Sequence, residues 1–397
     1  MILVLSMDGI CWEDADLDCL PNLSRLAKAG TYTKRLRTVF PSVTWNIHTS
    51  VVTGKSTGQH GIWGNAAYSR SRKVQFRYFE PQMANASDIR ESTIFQKISE
   101  KKLKSAAVCW PLTQGNPYLH YNIPEFYQQE YFRDFSTPEL IKELLEKGVE
   151  FNSYAAWSQE HLLAPLQDHL TTQIAEYLIK EKTVDVLFMH YLVHDSFQHH
   201  FGIQTPESKW SMAYADSLLG TLLDCLQSNN LFAVSQIIVF SDHGHEAVSR
   251  CFDLDVVLRQ IDVSKEDICC ADNGGALFLY INSASVPSDL VSRLKNALQS
   301  HEAVEMAVAG EETSQIGLDC QLNPDTFPDI VVSLRHGWLL DNHNTVRNKS
   351  MHGYNPETHM RMDGFMVQFG GSFPIGVKEE TGHICDIYGT VEKLLDN

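Results

Sequence analysis

Ile2-Leu3-Val4-Leu5-Ser6-Met7-Asp8-Gly9 is a short, nearly continuous apolar run that stops at an acid and a glycine. Such runs are strands buried on both faces, the habit of a parallel sheet. Working outward, Pro21 to Gly30 (PNLSRLAKAG) has helical spacing, with Leu23, Leu26 and Ala27 on one face and Gly30 where a C-cap would stand. A second strand-like run, Val184 to Val193 (VDVLFMHYLV), follows an amphipathic helix around Thr171 to Lys182. A third, Gln236 to Ser241 (QIIVFS), follows a helix around Met212 to Leu226. Strand and helix in alternation predict an α/β fold with a mainly parallel central sheet flanked by helices. Asp8, Asp195 and Asp242 each lie at or just beyond the carboxyl end of an apolar run. That edge is where open parallel sheets bind ligands, and three acids meeting there repel one another unless a cation lies between them.

Past Arg250 the texture changes. Gly275 to Ile281 and Asp329 to Ser333 read as strands and Ser288 to Ser300 as a helix, whereas Asp341 to Ser350 is polar and reads as loop. The expected organisation is a core of residues 1–250 and 346–397 with a smaller α+β cap inserted at 251–345.

The chain's 397 residues, 43% hydrophobic and 20% charged, are ample for a large core and suggest two or three folding units. A net charge of −17, from 49 acidic and 32 basic residues, argues against binding a nucleic-acid duplex. A small anionic substrate remains compatible with it, because bound divalent cations reverse the local field. The opening MILVLSMDGICWED lacks the basic region and long apolar stretch of a secretory leader, and no run approaches the roughly 18 apolar residues of a membrane span. Nine irregularly spaced cysteines without a CxxC pair read as reduced thiols, so the expected location is cytoplasmic, without a membrane partner. No sequence feature specifies an oligomeric state.

Four short patterns carry chemistry. In Asp195-Ser-Phe-Gln-His199-His-Phe-Gly202, an acid and an imidazole four apart can reach one cation together, although a solvated loop fits the same pattern equally well. Ser241-Asp242-His243-Gly244 follows a strand; alone, it reads first as a turn in which the acid caps the backbone. Met351-His352-Gly353-Tyr354 says little by itself. Phe40-Pro-Ser-Val-Thr44-Trp-Asn-Ile-His48 leads into Val52-Thr-Gly54 and Gln59-His-Gly61. A threonine hydroxyl attacks only when a base or metal lowers its pKa, and Ser42 or Thr44 capping a helix is the plainer reading. The two are compatible, since a helix N-terminus attracts a phosphoryl group.

As a set, Asp8-Gly9, the PNL…LAKAG helix, FPSVT…VTGK…HGIWGN, D-x-x-x-H-x-x-G, SDHG and HGY resemble the alkaline phosphatase superfamily, in its nucleotide pyrophosphatase/phosphodiesterase-like branch. The resemblance implies that Asp8, Thr44, Asp242 and His243 hold one divalent cation and Asp195, His199 and His352 another. It implies zinc, with manganese or iron as alternatives suited to a mixed Asp/His shell. It implies Thr44 as nucleophile, a phospho-threonine intermediate, and the Asn65 amide on a non-bridging phosphoryl oxygen. One departure stands out: where relatives often carry Asn-His, three and four residues after the nucleophile, this chain has Ile47-His48, with Asn46 one place early. One residue on a helix is a rotation of about 100°, so Asn46 does not substitute directly.

Trp45 is a candidate for stacking on a base or aryl group, against an equal case for core packing. Trp110, near Tyr118 and Tyr121, resembles a segment that borders the pocket in the family, with core packing favoured. His194 is a candidate for contacting substrate. His245 is placed to brace a ligand from behind, whereas His48, His60, His190 and His383 read as structural. The expected substrate is a small phosphate ester, such as a nucleotide diester or pyrophosphate. Lys55, the only basic residue in the motifs that carry chemistry, is too little positive charge to favour a monoester. A phosphonate hydrolase and a phosphomonoesterase are the alternatives, ahead of a phosphoryl-transferring mutase or a non-catalytic binding protein.

Overall fold

The computed structural model describes the chain except residues 126, 283–286, 320–321, 341–347 and 397. Ile2–Met7 is a strand buried along its whole length. Its side chains alternate between two apolar layers. Leu3, Leu5 and Met7 join a cluster with Leu23 and Leu26 of helix Pro21–Lys28, Ile174 of helix Ala164–Tyr177 and Leu222 of helix Pro206–Ser228. Ile2 and Val4 face the opposite layer, with Val51 of helix Thr44–Thr53, Ile98 of helix Ile94–Glu100 and Val391 of helix Asp386–Leu394. This two-sided burial is why the run carries no polar alternation. Truncating one such leucine to alanine costs about 2–5 kcal/mol.

The central sheet has eight strands, in the order Val377–His383, Thr31–Arg37, Gly364–Phe369, Gln236–Phe240, Ile2–Met7, Val186–Tyr191, Ser105–Trp110 and Tyr121–Pro124. Five of its seven pairings are parallel; Gly364–Phe369 runs antiparallel to both of its neighbours. The fold is therefore α/β with helices on both faces of a mainly parallel sheet. A separate four-stranded antiparallel sheet is built from Ile268–Asn273, Ala276–Ile281, Ile330–Leu334 and Val304–Ala309, in that order, with helix Leu290–Gln299 against it.

Several sequence expectations shift. The helix expected to end at Gly30 stops at Lys28 with Ala29 as its cap. Gly30 serves close approach instead, because a Cβ there would stand 2.0 Å from the Gln368 carbonyl oxygen of the neighbouring strand. The helix expected around Thr171–Lys182 begins at Ala164, and its last turn widens to π geometry over Leu178–Lys182. The strand expected to reach Val193 ends at Tyr191, and Val193 begins a helix that runs to Phe201. Most of the loop expected at Asp341 to Ser350 lies outside the described residues, but Ser350–Met351 is a short strand paired with Glu246–Ala247.

Candidate functional site: two carboxylate–imidazole clusters at a sheet edge

Three adjacent parallel strands bring their carboxyl ends to one edge, and their register places the acids. Met7 lies opposite Tyr191 and Ser6 opposite Phe240, so Asp8, Asp242 and the segment after Tyr191 emerge side by side. The Asp8 amide donates to the Tyr191 carbonyl at 3.0 Å. Asp242 Oδ1 accepts the Gly9 amide at 3.3 Å, and Ser241 Oγ accepts that of Ile10 at 2.8 Å. Asp195 stands in the first turn of helix Val193–Phe201, with His199 one turn on. The buried carboxylate of Asp168 accepts the Leu192 and Val193 amides at 2.8 and 2.9 Å, holding that helix start against the strand end.

The side chains meet in two adjoining clusters. In the first, His243 Nε2 lies 3.3 Å from Thr44 Oγ1, 3.4 Å from Asp8 Oδ1 and 3.5 Å from Asp242 Oδ2. In the second, Asp195 Oδ2 is 3.3 Å from His199 Nε2, while its Oδ1 is 2.6 Å from His245 Nε2 and 3.6 Å from His352 Nε2. The His243 and His352 rings stack with centroids 4.0 Å apart, joining the clusters. Gly244 lets the chain pass: a Cβ there would meet the Arg361 carbonyl oxygen at 2.1 Å and Cys11 Cβ at 2.7 Å. Close approach, and not the turn the sequence suggested, is what requires glycine at this position.

Hydrogen bonds fix which imidazole nitrogens are available. The Nδ1 atoms of His199, His352 and His243 face the carbonyl oxygens of Ser350, Ser42 and Gly244 at 3.1, 3.1 and 3.3 Å. A carbonyl only accepts, so each Nδ1 carries a hydrogen and each Nε2 turns toward the carboxylates. Two carboxylate oxygens, Asp8 Oδ1 and Asp242 Oδ2, are buried without a hydrogen-bond partner. Burial, reinforced by the charges of Asp242, Asp195 and Glu125, pushes the Asp8 carboxyl well above the usual carboxylate range. Burial likewise raises Asp242, and it lowers His243 to about 4. At Asp195 burial is outweighed by the His199 and His245 imidazoles, which hold its carboxyl well below the ordinary value. Lone pairs and carboxylate oxygens aimed at one another require positive charge between them, so the donor set fits divalent cations held by Asp and His.

Thr44 is the first residue of helix Thr44–Thr53, after Val43 in extended conformation. The N-cap residue Val43 supplies no side-chain cap, and Ser42 Oγ donates instead to the Tyr354 carbonyl at 2.8 Å. The Trp45 amide donates to Asn65 Oδ1 at 3.0 Å, which commits that oxygen and leaves the Asn65 NH2 for a ligand. A cavity of about 320 Å³ opens here, lined by Asp8, Thr44, Trp45, Asn65, Asp195, His199 and His352 among others. Trp45 is only 2% exposed and packs with Ile62, Tyr78 and Leu112, so it forms a wall and not a free stacking face.

The structure separates two expected contacts from this cavity. Trp110 is fully buried, edge-on to His48 and Phe188. His194 points away, its Nδ1 3.0 Å from Ser211 Oγ, and borders a different surface pocket. Both follow from direction: Trp110 lies on the core side of its strand, and His194 precedes Asp195 by one helical step. The Ile47 departure also resolves. Ile47 packs in the apolar layer, while Asn46 donates to the Pro41 carbonyl at 2.8 Å and to Thr57 Oγ1 at 3.0 Å. Lys55 lies beyond the far end of the ten-residue helix, about 15 Å from Thr44.

Sequence reasoning missed Arg77, Phe79, Glu125, Tyr127 and Asn273, which also line the cavity. Phe79 and Tyr127 face each other with ring centroids 4.2 Å apart. Arg77 is the only lysine or arginine among the lining residues. None of the five sits in a motif; only the folded chain brings them to the site.

A sequence profile of the type I phosphodiesterase / nucleotide pyrophosphatase family matches residues 2–355. A venom phosphodiesterase of Macrovipera lebetinus is 24% identical over 254 residues, 62% of this chain and 26% of its own length. Ectonucleotide pyrophosphatase/phosphodiesterase family member 1 of Homo sapiens is 27% identical over 246 residues, 62% of this chain and 23% of its own. The chain thus spans about a quarter of the length of these relatives. A bis(5'-adenosyl)-triphosphatase of Pongo abelii is 26% identical over 404 residues, covering 98% of this chain and 76% of its own length. Among solved structures, murine ectonucleotide pyrophosphatase/phosphodiesterase 5, an inactive threonine-to-alanine form in complex with AMP, superposes with a TM-score of 0.76. It is 19% identical and covers 100% of this chain and 94% of its own, a likeness of fold.

Proposed function

The chain belongs to the type I phosphodiesterase / nucleotide pyrophosphatase family, and on that premise we propose that it hydrolyses phosphate diesters or pyrophosphates, with Thr44 as nucleophile at a two-cation site. The observation that carries this reading is the place of Thr44 Oγ1, 3.3 Å from the His243 Nε2 that also faces Asp8 and Asp242. Asp8, Thr44, Asp242 and His243 would hold one cation and Asp195, His199 and His352 the other. Zinc suits this mixed oxygen and nitrogen set without cysteine; manganese and iron are the alternatives. When bound, such a pair lowers the pKa of the attacking hydroxyl and neutralises charge on the attacking and leaving oxygens of an in-line displacement.

The chain's own groups do the rest. Thr44 Oγ1 forms a bond to phosphorus as the leaving alcohol or phosphate departs; water then cleaves the phospho-threonine and restores the hydroxyl. The Asn65 NH2 donates to a non-bridging phosphoryl oxygen, and the helix N-terminus at Thr44 favours the same negative charge. Phe79 and Tyr127 supply an aromatic surface for a nucleobase or aryl group. Among the lining residues only Arg77 adds fixed positive charge, which fits a diester better than a monoester with its extra anionic oxygen.

The division into a core of 1–250 and 346–397 with a cap at 251–345 belongs to the same reading; through Asp272 and Asn273 the cap segment would shape the cavity wall. No helix among the described residues is long and apolar enough to cross a membrane. Cys11, Cys19, Cys109, Cys225, Cys269, Cys270 and Cys385 are free thiols, which supports a reducing, cytoplasmic setting. Comparing turnover of a nitrophenyl phosphodiester, a nitrophenyl phosphomonoester and phosphonoacetate tests the substrate class. The diester is expected to be fastest; a strong preference for either of the others would sink the reading.

A further inference from the structure

We propose that His245 is a fourth protein ligand of the cation held by Asp195, His199 and His352, an imidazole beyond the set that the sequence motifs imply. The inference rests on the two-cation reading and extends it.

A chain of hydrogen bonds carries the argument. Ser350 Oγ lies 2.7 Å from the Gln198 carbonyl oxygen, and since a carbonyl only accepts, the single hydroxyl hydrogen is spent there. His245 Nδ1 lies 3.0 Å from the same Ser350 Oγ, so it must donate to the remaining lone pair and therefore carries its hydrogen. In its neutral form the ring then presents the lone pair of Nε2. That lone pair stands 2.6 Å from Asp195 Oδ1, closer to this carboxylate than His199 at 3.3 Å or His352 at 3.6 Å. Two acceptors at that distance need positive charge between them, a proton in the metal-free chain or a divalent cation in the loaded one. The donor atoms of Asp195, His243, His245 and His352 all lie within 4.8 Å of one another, which places His245 inside the cluster and not behind it.

Ser350 fixes two rings at once: its carbonyl holds His199 Nδ1 at 3.1 Å and its hydroxyl holds His245 Nδ1. The main chain of His245 is pinned as well, its carbonyl accepting from Arg361 Nε at 3.2 Å. With His245 counted, the second position has four protein ligands, so a substrate oxygen taken up there would be a fifth. A cation held this way is expected to resist chelation more strongly than one held by three.

Cobalt(II) substitution tests this directly. Each cobalt-bound imidazole with a hydrogen on Nδ1 gives one solvent-exchangeable, hyperfine-shifted proton resonance. The di-cobalt wild-type protein is expected to show four, from His199, His243, His245 and His352, and His245→Gln three. His245→Gln is also expected to lose more than about 100-fold in affinity for one of its two cobalt ions, beyond the range typical of a group that only orients a ligand. Three resonances from a wild-type protein that binds two cobalt ions would overturn the His245 assignment and leave the two-cation reading intact. Failure of the wild-type protein to bind two cobalt ions would overturn both. The wild-type count needs no variant, so a misfolded His245→Gln leaves the test decisive.

Discussion

Asn273, on the four-stranded sheet, clamps Asn65 from behind: its Oδ1 accepts the amides of Asn65 at 2.7 Å and Ala66 at 2.9 Å, and its Nδ2 donates to the Ala66 carbonyl at 3.1 Å. A side chain that touches the loop three times from another sheet determines where the Asn65 amide group points. Asn273→Ala would leave the backbone amides of half-buried Asn65 and buried Ala66 unpaired and free Asn65 to drift. We expect kcat/KM to fall about 100-fold, the scale of an ångström-sized misplacement at a reacting centre, with metal content unchanged. Steady-state kinetics alongside elemental analysis checks both halves; lost metal would assign Asn273 a different role.

Thr44→Ala removes the atom placed nearest His243 Nε2 while leaving three carboxylates and the imidazoles in position. Turnover is expected to drop by about 10⁴-fold or more, as when a nucleophile is deleted, with both cations retained. Quenched incubation of the wild-type protein with a phosphorus-labelled diester should trap label on the chain, and Thr44→Ala should trap none. Full activity in that variant would remove Thr44 from the mechanism.

Asp8 illustrates how far sequence reading reaches. An acid directly after a doubly buried run was visible as a ligand at a sheet edge, and the edge is where it stands. The helix start at Val193 was not visible, because Leu192 and Val193 continue the apolar texture of the strand. What ends the strand is Asp168, some 25 residues earlier, capturing both amides. Phe79, Tyr127 and Arg77 were invisible for the same kind of reason: each reaches the cavity through tertiary contacts that leave no local pattern. His352 was legible only within the motif set, since a lone histidine beside a glycine has no period or cap to mark it.

Removal of metal should expose the cost of packing acids together. Asp8 Oδ1 is buried without a partner, and burial together with Asp242, Asp195 and Glu125 pushes its carboxyl up. In chelator-treated protein, Asp8→Asn is expected to raise stability by about 1–3 kcal/mol, the range for relieving one unsatisfied buried group. In metal-loaded protein the same change should lower it. Urea unfolding of both forms checks the reversal of sign, and a loss of stability in the metal-free form would refute it.

Acid should weaken the fold through histidines remote from the cations. Burial lowers His60 from its ordinary 6.5 to about 3, and His60 sits against Ser50 Oγ at 3.0 Å, away from the carboxylates. Between those two values the unfolded chain binds a proton that the folded one does not, so stability rises with pH. It is fully present above 6.5 and is lost as pH falls toward 3. Moving from pH 7.5 to 5.5 should cost about 1.4 kcal/mol from this one group. His60→Asn should shrink the pH-dependent difference in unfolding free energy by that amount, whatever its effect on absolute stability.

The position of Gly364–Phe369 in the sheet has a consequence for how the protein is made. This strand lies between Thr31–Arg37 and Gln236–Phe240, so both neighbours leave the ribosome long before the strand that will join them. From Phe240 to Gly364 is a span of 124 residues (364 − 240). At translation rates of about 5–20 residues per second, the nascent sheet ends at the unpaired edge of Gln236–Phe240 for roughly 6–25 seconds, while Thr31–Arg37 has no strand partner on either side. Unpaired edges invite pairing with other chains. Until that late strand arrives, the growing chain depends on dilution or on chaperones to keep that edge free.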